Sequence, residues 1–321
     1  MDFGITLGPR GATGTPEGLA ARAQQADRLG FAYVGIPDHV VFPRETNSVY
    51  PYSANGAHPS KTNGYCLEQM TVLSYIAALT KNVRLLSSVL VVPHRPAILA
   101  AKMLTSIDVL SHGRLTVGVG VGWLAEEINA LGAMPFEKRG AATDAFIAAF
   151  RALWSEEQPR SDSEFARFED LVFEPKPVQR PGPPVWIGGE GAAARRRAGR
   201  LGDGWYPTVR NPREPLDRPE LFVAALAEVH AHARAAGRDP ASIDVAVYAN
   251  GLGFNAPRQD KDGRRVAFTG SAEEIAGDAR AFAKAGARHL LVGFESTDLA
   301  QSLDQVEQFA RDVVPLARSA A

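Results

Sequence analysis

The sequence predicts an α/β fold, a (β/α)8 TIM barrel with insertion loops at the carboxyl ends of its strands. Two observations carry that prediction. Over 321 residues, strand-like and helix-like segments alternate eight times, which implies parallel pairing and, at this length, closure into one barrel. The fourth strand-like segment, Arg114 to Val121 within RLTVGVGVGW, has the β-branched, apolar character of a fully buried strand. A doubly wound open sheet is the rival. Its fingerprint is missing, because the glycines here run G-x-G-x-G and no acidic residue follows at the dinucleotide-binding distance.

In chain order, Asp2 to Leu7 reads as a strand ending at Gly8-Pro9. Pro16 opens a helix through Leu29, at a first-turn position where its missing N–H costs nothing. Tyr33 to Pro37 is the second strand and runs into Asp38-His39. Residues 42–64 are non-periodic and rich in Pro, Asn, Ser, Tyr and Gly, the composition of a lid or binding loop. A helix from about Leu67 to Thr80 precedes the third strand, Val83 to Val92, which Ser87-Ser88 interrupts. Pro96 starts the next helix, and Ser111-His112-Gly113 turns into the glycine strand. Pro135 to Trp154 is helical, whereas 155–183 is a charged, proline-rich excursion from the fold. Strand PVWIGG at 184–189, helix 192–201 and strand GWYP at 204–207 follow. A proline-rich loop at 208–219 leads to a helix from about Glu220 to Ala236, and Ile243 to Asn250 alternates as a strand. Residues 252–270 carry a basic, glycine-containing tip. Ser271 with Glu274 predicts a capping box on the helix through Ala285. Ala287 to Phe294 is the last strand and 298–316 the last helix, so that one domain spans 1–321.

Composition narrows the classes of function. Hydrophobic content of 45% with 22% charged residues is that of a soluble globular protein with a full core. A formal net charge of −1, with neither basic stripe nor basic tail, speaks against a nucleic-acid or membrane partner. One cysteine, Cys66, excludes an internal disulfide and reads as a buried structural thiol. No signal segment and no apolar run of spanning length is visible, and a cytoplasmic enzyme is expected.

Glycine weakens a strand, so Gly118, Gly120 and Gly122 on one face need a reason. Either something flat or bulky presses on that face, or the barrel is packed tightly there. Chemistry in such a barrel sits at the carboxyl ends of the strands. Those ends are Gly8-Pro9, Asp38-His39, Ser87-Ser88, Gly120 to Trp123, Gly188-Gly189, Trp205-Tyr206, Asn250-Gly251 and Phe294-Glu295. They lack the convergent His, Asp and Glu side chains of a catalytic metal, and G-x-S-x-G is absent, so no metal and no serine nucleophile is expected.

Gly188-Gly189-Glu190-Gly191-Ala192 lies between a strand and a helix, where backbone N–H groups can curl into a nest for a phosphate. A plain glycine-rich turn is the alternative. Of Arg195, Arg196 and Arg197 in the first turns of that helix, at most one is expected to reach the phosphate. His39 suits proton transfer near neutrality. Adjacent residues in an extended chain point opposite ways, so Asp38 and His39 need not touch. Trp123, Trp205 and Tyr206 are either core or the walls of an aromatic ligand site, and His94-Arg95 reads as the end of a strand.

GIPDH at 35–39, SSVLVVPHRP at 87–96, and the runs 98–132 and 175–205 resemble the luciferase-like monooxygenase superfamily, most closely its coenzyme F420-dependent branch. The resemblance implies a flavin or 8-hydroxy-5-deazaflavin across the barrel mouth, with its phosphate at Gly188 to Ala192 and its ring near Gly122 and Trp123. The cofactor-binding set is then Ser87, Ser88, Val89, Gly120, Val121, Gly122, Trp123, Gly188, Gly189, Glu190, Gly191 and Ala192, with Asp38 and His39 as the polar pair of the chemistry. A non-prolyl cis peptide, by position Ser88-Val89, is implied as well. The sugar-phosphate dehydrogenases of that branch carry a Trp and a Glu where this chain has Pro43 and Trp123, which speaks against glucose-6-phosphate. The activity implied is hydride transfer between F420 and a small organic substrate held under the 42–64 loop. The alternatives are an FMN-dependent monooxygenase served by a flavin reductase, and a non-catalytic flavin-binding protein. A homodimer is implied by the resemblance alone.

Overall fold

The computed structural model describes residues 1–321 apart from 9, 10, 12, 54, 57, 59–63, 133, 295, 297, 320 and 321. Among the described residues, eight strands close a barrel: β1 (Asp2–Thr6), β2 (Tyr33–Ile36), β3 (Arg84–Val91), β4 (Leu115–Gly120), β5 (Val185–Gly188), β6 (Gly204–Tyr206), β7 (Asp244–Ala249) and β8 (His289–Gly293). Each pairs in parallel with the next in sequence, and β8 returns to β1 with His289 opposite Asp2. The fold is the (β/α)8 barrel that the alternation predicts.

Helices cover the outside: α1 (Pro16–Arg28), α2 (Gln69–Leu79), α3 (Ala97–Leu110), α4 (Ala125–Leu131), α5 (Arg139–Ser155), α6 (Ala192–Leu201), α7 (Pro219–Ala235), α8 (Ala272–Lys284), α9 (Leu299–Asp312) and α10 (Val314–Arg318). Local chemistry starts several of them. The Thr15 hydroxyl accepts from Gly18 N ahead of α1, and the Ser271–Glu274 capping box forms on α8 as its spacing predicts. Two places differ from the sequence reading. A short helix, α4, precedes the one expected from Pro135 and is ended by Gly132 in the left-handed region (φ 65), and the expected α-helix itself starts only at Arg139. The last helix divides at Val313, where Pro315 lacks the N–H that would carry the ladder onward. Within 155–183, Ser161–Ser163 and Ala166–Phe168 form a small antiparallel hairpin, and Gly253–Phe254 pairs with Thr269–Gly270 at the base of the 252–270 excursion.

Alternation along the strands divides the core. Leu85, Val117, Val119 and Ile187 face the helices, whereas Tyr33, Leu86, Trp186, Tyr206, Ala246 and Leu291 fill the barrel interior. The glycine face of β4 is resolved in favour of tight packing. A Cβ on Gly118 would run into the Ser87 carbonyl oxygen, one on Gly120 would stand 2.6 Å from Val89 Cγ2, and one on Gly122 would stand 2.7 Å from Val91 Cγ1. The bulky group against that face is the chain's own third strand, which shifts register between Ser87 and Leu90 and carries the implied cis peptide at Ser88-Val89. No helix among the described residues is long and apolar enough to cross a membrane.

Candidate active site

At the end of β2 the chain turns into Asp38 and His39, both buried, and their side chains take different partners. Asp38 accepts from Arg95 through both oxygens, at 2.8 and 2.9 Å, and from Val91 N at 3.0 Å. Burial pushes this carboxyl up, but His94 and Arg95 together outweigh burial and hold it at about 2. Arg95 also reaches Glu68, the N-cap of α2, at 2.5 Å. His39 Nδ1 stands 2.8 Å from Glu127 Oε2, while Glu127 Oε1 accepts from Val40 N at 2.6 Å and Val41 N at 3.1 Å. Burial opposes ionisation of Glu127, yet His39, His94 and the Val40 N–H prevail and lower its pKa. His94 lies between the two acids, 3.6 Å from Asp38 and 3.7 Å from Glu127, beyond good hydrogen-bond distance. An ionised carboxylate can only accept. The short bond therefore puts a proton on His39 Nδ1 and leaves Nε2 to exchange one.

The His39 ring belongs to an aromatic group at the barrel mouth, 4.5 Å from Phe42, 5.7 Å from His58 and 6.3 Å from Trp123 between centroids. His58 stacks on Trp123 with 10° between planes, and Tyr50 meets both edge-on. Trp123 follows β4 and His39 follows β2; Phe42, Tyr50 and His58 come from the 42–64 loop, so this part of the loop lies over the end of the barrel. Glu126 pins it there, accepting from Asn47 N at 2.7 Å, Ser48 N at 3.1 Å and Ser48 Oγ at 2.6 Å. Neighbouring glutamates of α4 thus hold the loop on one side and His39 on the other. Inside the mouth, the Ser88 and Tyr206 hydroxyls are 3.0 Å apart.

The glycine segment after β5 is open in part. Gly188 is closed over by Val89, whose Cγ1 would be 2.8 Å from a Cβ there. Gly189 has φ +102, and Gly191, the N-cap of α6, has open space where a Cβ would lie. No side chain caps α6; Ala194 N already donates to Gly191 O at 2.9 Å, and the N–H groups ahead of it precede any helical partner by position. Glu190 turns inward instead. Its carboxylate accepts from Thr208 N at 2.6 Å, Thr208 Oγ1 at 2.9 Å and Asn211 Nδ2 at 2.8 Å; burial raises its pKa despite these bonds.

This geometry narrows several of the sequence expectations. The side chains of Ser87 and Glu190 point into the protein, the Ser87 hydroxyl onto Gly118 O at 2.8 Å, which leaves only their backbones for a ligand. Trp205 is core: its indole N–H donates to Gly189 O at 3.0 Å and its ring stacks on Phe222. Arg195 braces the Glu190 carbonyl at 2.8 Å and pairs with Glu228, Arg197 pairs with Asp144, and Arg196 is exposed. Cys66 is half-buried, with its thiol 3.5 Å from the His39 carbonyl. His94 and Arg95 do more than end a strand, and Glu68 and Glu127 join them although no motif in the sequence marks either glutamate. Pro9, Glu295 and part of the 42–64 loop lie outside the described residues.

The mouth of this parallel barrel combines a carboxylate-held histidine, an aromatic loop and a glycine segment open at Gly191. The chain belongs to the luciferase-like monooxygenase family, which it matches over residues 1–251. An uncharacterized protein of Mycobacterium tuberculosis (strain ATCC 25618 / H37Rv) is 32% identical over 284 residues, covering 88% of this chain and 96% of its own. The FMNH2-dependent dimethylsulfone monooxygenase of Pseudomonas putida is 28% identical over 337 residues, with 92% and 86% covered. Among solved structures, an F420-dependent secondary alcohol dehydrogenase in complex with an F420-acetone adduct has a TM-score of 0.75 at 18% identity over 99% of both chains, a likeness of fold.

Proposed function

We propose that the protein is an oxidoreductase that transfers a hydride between coenzyme F420 and a small organic substrate at the barrel mouth. The observation that carries this reading is His39, buried at a strand's carboxyl end with Nδ1 on Glu127 and its ring among Phe42, His58 and Trp123. The residues present fit such a cofactor, since the cradle is open at Gly191 and α6 begins uncapped behind it, where a phosphate would be held. Trp123 would lie beside its ring. When bound, the deazaflavin supplies or takes up the hydride at a carbon centre. His39 Nε2 exchanges the matching proton with the substrate oxygen, and Glu127 fixes the tautomer that allows it. Phe42, Tyr50 and His58 exclude water from that exchange.

Deazaflavin is favoured by the resemblance of the four sequence stretches to the F420-dependent branch, and by the F420-dependent alcohol dehydrogenase that shares the fold. A second reading, monooxygenation with reduced FMN and oxygen, is favoured by the dimethylsulfone monooxygenase, whose similarity spans 92% of this chain. Parallel titration of the purified protein with F420 and with FMN, followed by absorbance and fluorescence, separates them. Tight F420 and weak FMN binding is expected; the opposite order moves the assignment to monooxygenation. His39→Ala is expected to lower kcat by about 10²- to 10⁴-fold with an unchanged cofactor Kd. Retained turnover would remove His39 from the chemistry.

A further inference from the structure

Two loops on the carboxyl face of the barrel carry charge of a sign that the rest of the chain does not. Residues 208–219 and 252–270 together hold seven basic and four acidic side chains, in a protein whose formal net charge is −1. Charge of both signs is already engaged there: Arg265 pairs with Asp278 at 2.7 Å and Arg218 lies 3.9 Å from Glu220. Glu214 lies 3.5 Å from Arg195, and Asp260 accepts from the N–H groups of Asp262 and Arg264 at 2.8 and 2.9 Å.

The two loops meet at the end of β7. Arg210, from the first, donates to the carbonyls of Asn250 and Gly251; Arg258, from the second, donates to the same Gly251 carbonyl. Two guanidinium groups sharing one neutral oxygen repel each other, and an anion beside them is attracted by both. Arg258 is exposed, and no carboxylate among the described residues pairs with it. This rim is fastened to the glycine cradle. Glu190, in the middle of the cradle, holds Thr208 N and Asn211 Nδ2 on either side of Arg210, and Arg210 N in turn donates to Asn250 Oδ1 at 3.1 Å.

We infer that Arg210 and Arg258 form a site for the oligoglutamate tail of F420. The inference rests on the reading that the cofactor is F420 with its phosphate at Gly189 to Ala192. Ring and phosphate are chemistry that FMN shares; a chain of carboxylates beyond the phosphate is not. The rim joined to the cradle adds cations for which FMN has no chain of carboxylates, and it is therefore the feature that would discriminate between the two cofactors.

The test compares F420 carrying several glutamates with its tail-less phospholactyl form, by fluorescence titration of the wild-type protein at low and high salt. The tailed form is expected to bind about tenfold more tightly at low salt, with the advantage lost at high salt, because exposed pairs are screened. Arg258→Glu is expected to abolish the advantage while the tail-less form keeps its Kd, and Arg258→Lys to retain most of it. Equal Kd values for the two forms in the wild type at low salt would overturn the tail site and leave the deazaflavin reading standing. Failure of both forms to bind would overturn that reading and the tail site together.

Discussion

Glu127 divides its two oxygens between structure and chemistry. Oε1 accepts from the backbone of the turn after β2, at Val40 and Val41, and Oε2 from His39. Glutamine at this position keeps the shape and removes the choice. If the amide oxygen retains the two backbone N–H groups, its NH2 faces His39 Nδ1, and the imidazole must become an acceptor there with its proton on Nε2. Glu127→Gln is therefore expected to lower kcat by about 10²-fold, to displace the pH–rate profile and to leave the cofactor Kd unchanged. A loss of rate with an unmoved profile would show that Glu127 serves the packing of the turn and not the tautomer of His39.

Between elements, the contact that shapes the mouth is β3 on β4. Gly118 faces the Ser87 carbonyl so closely that even a methyl group has no room, and both partners are backbone in the barrel wall. Gly118→Ala is expected to cost about 1–3 kcal/mol, read as a lowered urea midpoint. Gly191→Ala is its counterpart. There the methyl group meets nothing within 4 Å and φ is −68, so stability should change by less than about 1 kcal/mol, while the affinity for a phosphate-bearing cofactor falls. Unchanged affinity would take the phosphate out of the cradle. The same two elements show what a sequence can and cannot reveal. Strands, helices and the Ser271 cap are local patterns, and the barrel rule then places Asp38 and His39 at a working end. Whether the glycines of β4 meet a ligand or another strand is not local, because the answer lies in a register shift of β3. Nor is α4, a helix of seven residues held by what it touches rather than by a periodic face of its own. Glu127 and Arg95 were illegible for a related reason. A charged residue is buried only if its partner is brought to it, and these partners stand 88 and 57 positions away.

On the scale of the molecule, the mouth is tied together by charges from four places in the chain: Asp38 after β2, Arg95 and His94 after β3, Glu68 at the head of α2, and Glu127 in α4. This makes stability depend on pH in a definite direction. Asp38 has a pKa of about 2 in the folded protein against 3.8 for a free side chain. Between those values the unfolded chain binds more protons, so its contribution, about 2 kcal/mol, is complete above pH ~4 and is lost as pH falls through 2. Glu68 and Glu127 are lowered too and act in the same direction. Asp38→Asn isolates the one group. At neutral pH the variant is expected to be less stable by about 3 kcal/mol, because Arg95 keeps only Glu68. Towards pH 2 the urea midpoints of wild type and variant should converge, since protonation removes from the wild type what the substitution has already removed. Curves that run parallel down to pH 2 would mean that the Asp38–Arg95 pair contributes shape to the mouth and no net stability.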